Sequence, residues 1–306
     1  MCWEVSVVGE CTFSGRCRWG DFSEGRTDGY FVVSGYSWRP FFGEPIPYLE
    51  YSSPDGPGAF PVLGEHYLSL GDVLFCRSCL SPLVSGYDHV ILKLCRGCLA
   101  TSWGAYLRCA VEGAGSSLGV PCNGRDVECG SVDLCRESHV VYVGSFGGIL
   151  KVGVTRERRG DMEMGCLQRV FEQGLGFAVV FGDGLALWEA QEIESYIRDE
   201  FSLNDKILFS EKVAEMVSGV MEDVDGVLRV VQEIEERLGG RVRVLWRGSF
   251  SWGEAPRDYD YIWRGGDLFG ELIYARGNVA FFDYGGEVVV VNLNDLVGRG
   301  ICCSEV

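Results

Sequence analysis

An α+β fold is predicted for this chain of 306 residues. Three observations predict it. Apolar runs bounded by glycine-rich turns fill both ends of the sequence and read as strands. Residues 160–174 and 185–201 carry apolar side chains at helical spacing, and residues 205–240 look helical and acidic. A block of cysteines lies between the first strands and the first helices. The length is enough for two or three domains.

In chain order, residues 1–70 are rich in aromatics, Gly and Pro, with alternating runs such as GYFVVSGYSW. They form a β-rich N-terminal segment, in which PYLEYSSPDGPGAFPVLGEH reads as a loop or linker. Residues 71–137 form a Cys-rich segment. Residues 138–205 read as β-β-α-β-α: strands HVVYV and LKVGV joined by GSFGGI, the helix GDMEMGCLQRVFEQG, the strand FAVVF and the helix LALWEAQEIESYIRDEF. Met164, Leu167, Val170 and Phe171 line the inner face of the first helix; Leu187, Ala190, Ile193, Ile197 and Phe201 line that of the second. Residues 206–240 are a helical, acidic connector. Residues 241–306 form a small antiparallel β domain from ELIYA, VAFFDY and EVVVVNL.

The formal charge is −17, which excludes general coating of nucleic-acid phosphates. Residues 76–137 are neutral, however, and Lys151, Arg156, Arg158 and Arg159 against Glu157 make a basic patch just beyond them. No segment is long and apolar enough to span a membrane. The N-terminus lacks a basic stretch followed by an apolar block, so no signal peptide is expected and a cytoplasmic location follows as the default.

Fourteen cysteines without a signal peptide point to metal before disulfides. Cys76, Cys79, Cys95 and Cys98 follow C-x2-C-x15-C-x2-C, in which two tight turns aim four thiolates at one tetrahedral zinc ion. Four thiolates close the coordination sphere, so that zinc would be structural. Cys109, Cys122, Cys129 and Cys135 have wider spacing; a second zinc site and two disulfides both remain open for them. Cys2, Cys11, Cys17, Cys166, Cys302 and Cys303 have no assignment from spacing.

The β-β-α-β-α order and its residues resemble the GIY-YIG nuclease superfamily. Val140-Val141-Tyr142 stands where GIY would be and Lys151-Val152-Gly153 where YIG would be, with Arg169 on the first helix and Glu194 on the second. The chain is more closely similar to an archaeal and bacterial branch with the pattern H-x-V-Y, K-V-G-[IV]-T-R and R-x-x-x-Q-G. Here these are His139 to Tyr142, Lys151 to Arg156 and Arg169 to Gly174. That branch also has CxxC pairs before the core and a small β segment after it, and Cys135 fits its pattern. The first tripeptide keeps its Tyr without the Gly, Lys151 replaces the second Tyr, and Asn204 is a loose counterpart of the superfamily's terminal Asn.

The resemblance implies a metal-dependent endonuclease or related phosphodiester enzyme acting on DNA or RNA. Glu194 would hold Mg2+ or Mn2+ and Arg169 would clamp the phosphate. Tyr142 would orient or deprotonate water if a neighbouring cation lowered its pKa; Lys151 would be that cation, or the base itself. Arg156, Arg158 and Arg159 would contact the backbone. Each residue also has a plainer role: Tyr142 packing in a strand, or an Arg169–Glu194 ion pair. The alternatives are a catalytically inactive zinc-containing nucleic-acid-binding protein and a protein-interaction module.

Overall fold

The computed structural model describes residues 31–41, 44–53, 56–62, 65–83, 91–113, 131–157 and 165–304. The fold is mixed α+β. Among the described residues the strands make two sheets, of nine and four strands.

The large sheet joins both ends of the chain. Strands β1 (Phe31–Phe41), β2 (Glu44–Ser53), β3 (Gly56–Pro61) and β4 (Glu65–Leu74) come from the N-terminal part. β9 (Tyr261–Ile262), β10 (Leu268–Arg276), β11 (Val279–Tyr284), β12 (Glu287–Asn292) and β13 (Arg299–Ser304) come from the C-terminal part. β13 pairs with both β1 and β4, so the last described strand sits between two early ones. The stretch read from sequence as a loop or linker is largely β2 and β3, a correction to that reading. β3 is an edge strand, where Pro57 and Pro61 break few ladder bonds. Residues before 31 lie outside the described residues.

The small sheet runs β6-β5-β7-β8, all antiparallel. Its members are β5 (His139–Phe146), β6 (Ile149–Arg156), β7 (Phe177–Leu185) and β8 (Arg243–Ser249). All of β5 is buried, because it lies inside the sheet and both faces are covered. That is why HVVYV is a continuous apolar run instead of an alternating one.

Helices fill the space on either side. Near the cysteines lie α1 (Arg96–Leu99), α2 (Ser102–Glu112) and α3 (Val132–Arg136). Helix α4 (Gly165–Gln173) follows β6, and α5 (Leu187–Phe201) follows β7. The connector read as helical is a pair, α6 (Phe209–Ser218) and α7 (Val224–Leu238). The short α8 (Leu293–Leu296) follows β12.

On one face of the small sheet, Val141, Val143, Val152 and Val179 pack against Ala190, Ile193 and Ile197 of α5 and Val227, Val230, Val231 and Ile234 of α7. On the other face Val140, Tyr142, Phe146 and Val180 meet Cys166 and Val170 of α4, Val213 and Met216 of α6, and Val279, Phe281 and Val290 of the large sheet. Helices α4 and α6 therefore share one core with both sheets. The hairpin turn of β10 and β11 reaches the end of α4: Arg276 Nε donates to the Gly174 carbonyl over 2.6 Å, and Trp38 Nε1 of β1 donates to the Gly277 carbonyl over 3.1 Å.

Candidate metal centre and candidate phosphate site

The first cysteine set is assembled. The four sulfurs of Cys76, Cys79, Cys95 and Cys98 all lie within 4.8 Å of one another, and those of Cys79 and Cys95 are 3.5 Å apart. A tetrahedron with metal–sulfur arms of about 2.3 Å has edges of about 3.8 Å, so the donor set fits zinc. The local backbone explains how. After β4, Cys76 accepts from Leu80 N over 2.8 Å, closing the first turn with Leu80 at φ 62°. In the second turn Leu99 N donates to the Cys95 carbonyl over 2.9 Å, and the Cys95 thiol accepts from Cys98 N at the start of α1. Burial works to raise the Cys79 thiol, but Ser81 and the neighbouring thiols hold it down at about 6; burial and the other three thiols push Cys98 up to about 12. Four thiolates cannot all ionise so close together without a cation among them.

The second set is only partly described. Cys109 on α2 and Cys135 on α3 are both buried in one cluster with Tyr106 and Leu187. Cys122 and Cys129 lie outside the described residues.

Of the four residues singled out by resemblance, Tyr142 and Lys151 each lie within electrostatic reach of both Arg169 and Glu194. Tyr142 is 2% exposed and Lys151 4% exposed. The two project to the same face of the small sheet, since Tyr142 pairs with Gly153 and Gly144 with Lys151. Burial pushes the Tyr142 phenol up to about 12, with Arg169 lowering it and Glu194 and Glu172 raising it. This is opposite to the direction a tyrosine base requires. Burial brings Lys151 down to about 8; Arg169 adds to that, and Glu194 and Asp205 oppose it. Glu194 is raised by burial first, with Lys151 lowering it and Asp205 raising it. Arg169 pairs with Glu172 at 3.0 Å, so the ion pair with Glu194 that its position suggested is not the one formed.

Lys151 is held from the side. Its Nζ donates to the Asp205 carbonyl. Asn204 runs beside it as an added bridge, with Val152 N donating to the Asn204 carbonyl over 2.9 Å. Asp205 and Glu172 were not singled out by sequence, and neither carries a motif. Lys212 was also missed. It is 3% exposed, and its Nζ donates to the Gln173 carbonyl over 2.8 Å and Asn278 Oδ1 over 2.7 Å. Burial, with Lys151, Arg169 and Arg276 adding to it, lowers Lys212 to about 7. Its signal was in the sequence: Lys212 interrupts the inner stripe of α6 beside Val213 and Met216.

Of the basic patch, Arg156 is described and Arg158 and Arg159 lie outside the described residues. Arg156, on β6, pairs with Glu137, and its Nε is buried with no hydrogen-bond partner. Beside it, buried His139 is fixed at both nitrogens. Nδ1 faces the Glu137 carbonyl at 2.7 Å and so carries the proton, leaving Nε2 to accept from the Tyr106 hydroxyl at 3.0 Å. Burial keeps this imidazole neutral by lowering its pKa.

Among the described residues no helix is long and apolar enough to cross a membrane. Compared with known proteins, the chain matches no family model, no curated protein and no solved structure.

Proposed function

We propose that residues 139–205 form a phosphodiester-acting centre of GIY-YIG type, working on nucleic acid, with a structural zinc ion held by Cys76, Cys79, Cys95 and Cys98. The observation that carries the reading is the shared electrostatic environment of Tyr142, Lys151, Arg169 and Glu194. These residues come from two strands and two helices, yet each changes the ionisation of another. Sequence-distant charged groups are gathered this way at functional sites more often than at random ones.

The division of labour follows from the shifts. Tyr142, held protonated, donates a hydrogen bond to a phosphate oxygen or to water. Lys151, near 8, has a substantial neutral fraction at mildly alkaline pH and is the better placed base. Arg169 keeps its charge and contacts the phosphate while Glu172 orients it. Glu194 supplies a carboxylate oxygen for Mg2+ or Mn2+, a hard cation that would lower the raised carboxyl pKa; bound there, it would stabilise charge on the phosphate.

The test is a cleavage assay with single-stranded, duplex and branched DNA and with RNA, in Mg2+ or Mn2+. Wild type cuts, and Glu194→Gln and Arg169→Ala do not. Absence of cutting by zinc-loaded wild type on every substrate rejects the enzyme reading. One observation favours the second reading, a nucleic-acid-binding protein without catalysis: Tyr142 and Lys151 are almost wholly covered. It predicts salt-sensitive binding with no turnover.

A further inference from the structure

Resting on the nucleic-acid reading, we propose that Trp103, Tyr106 and Arg156 form a stacking platform for an unpaired base of a single-stranded segment. Trp103 is 42% exposed, on the first turn of α2. Its ring stacks on Tyr106 at 5.3 Å between centroids and 22° between planes. The guanidinium of Arg156 lies 5.7 Å from the Trp103 ring and 5.8 Å from the Tyr106 ring. An exposed indole backed by a second ring and flanked by a cation is the arrangement on which bases stack without regard to sequence.

The platform is rigid. The Tyr106 hydroxyl is anchored on His139, which is anchored in turn on the Glu137 carbonyl. Gly104, next to Trp103, is pressed against the backbone of Cys98 and Leu99; any side chain there would collide with it. The indole is thereby fixed to the second cysteine turn. Thr101 adds to this: its hydroxyl donates to the Cys98 carbonyl over 2.7 Å and accepts from Gly104 N over 3.1 Å. Zinc at the four thiols would hold the platform in place through these contacts.

The platform's own segment is less acidic than the chain as a whole with its −17: Lys93, Arg96 and Arg108 stand against Glu112 in residues 91–113, before the thiolates of Cys95 and Cys98 are counted. Arg156 shares the edge strand β6 with Lys151, five residues and about 16 Å along it, and projects to the opposite face of the sheet, so the platform is a contact separate from the proposed phosphate site.

The experiment measures fluorescence anisotropy of labelled twelve-nucleotide oligothymidylate, oligouridylate and a DNA duplex without divalent cations, in parallel with the cleavage assay. Zinc content and thermal melting check that each variant is folded. Wild type binds the single strands more tightly than the duplex. Trp103→Ala weakens single-strand binding by about five- to hundredfold, the loss of one stacked base. Trp103→Phe keeps most of the affinity. Arg156→Lys, which retains charge but not the planar guanidinium, loses part of it.

Single-strand affinity unchanged in folded Trp103→Ala overturns the platform, and if wild type cuts, the nuclease reading survives it. Loss of binding in Trp103→Ala with no cutting by wild type leaves the platform standing and removes the enzyme. Failure of wild type to bind any single strand also overturns the platform.

Discussion

Tyr142 and Gly153 face each other across β5 and β6, and the phenol lies over the glycine. A Cβ on Gly153 would fall well inside contact distance of the Tyr142 hydroxyl. The glycine of the Lys151-Val152-Gly153 tripeptide is thus a space requirement set by the tyrosine of the other strand. The two tripeptides that carry the GIY-YIG resemblance are halves of one packing unit.

Gly153→Ala is therefore expected to destabilise the fold by about 1–3 kcal/mol through overpacking. The cost should nearly vanish in a Tyr142→Ala background. Urea unfolding of the two single variants and the double variant measures the coupling. Additive effects would rule out the contact as the cause.

Zinc should be present at one equivalent per chain for the first cysteine set, and Cys98→Ser should remove that equivalent. Metal analysis of the purified protein reads this out. A further equivalent, if found, belongs to Cys109, Cys122, Cys129 and Cys135 when Cys109→Ser abolishes it. Retention of all zinc in Cys98→Ser would contradict the assembled site.

Stability should depend on alkaline pH in two opposite ways. Lys212 is lowered to about 7 and Lys151 to about 8, each by burial first. Between those values and their ordinary value near 10.5, the unfolded chain holds protons the folded chain has lost. Stability therefore rises with pH across that window. Tyr142 is raised to about 12, so above its ordinary value near 10 the unfolded chain loses a proton the folded chain keeps, and stability falls. Melting curves from pH 7 to 11 should show a maximum near pH 10. Lys212→Met should flatten the rising limb, and an unchanged limb would sink the assignment.

Arg276 is expected to matter beyond its own strand. It is 10% exposed and pairs with Glu222 while holding the Gly174 carbonyl at the end of the helix that carries Arg169. Arg276→Met leaves a largely covered carboxylate without its cation and should cost about 3–5 kcal/mol. Adding Glu222→Met should recover most of the loss in chemical denaturation. A double variant no more stable than the single one would show that helix anchoring, not the ion pair, dominates.

The sequence alone determined the local elements. The apolar stripe Leu187, Ala190, Ile193 and Ile197 is buried on α5 as its spacing requires, and the four thiols of C-x2-C-x15-C-x2-C converge as theirs requires. Period and spacing are properties of neighbouring residues, so they are legible without a fold. Tertiary structure alone decided the rest. Arg299–Ser304 inserts between β1 and β4, and Arg243–Ser249 joins the small sheet, because pairing between strands far apart in the chain leaves no periodic mark in sequence. It also decided ionisation. Tyr142 was a candidate base on residue type, but burial from both sheets holds its proton, while the same burial loosens that of Lys151. Desolvation depends on what the whole chain packs around a group, and no motif records it.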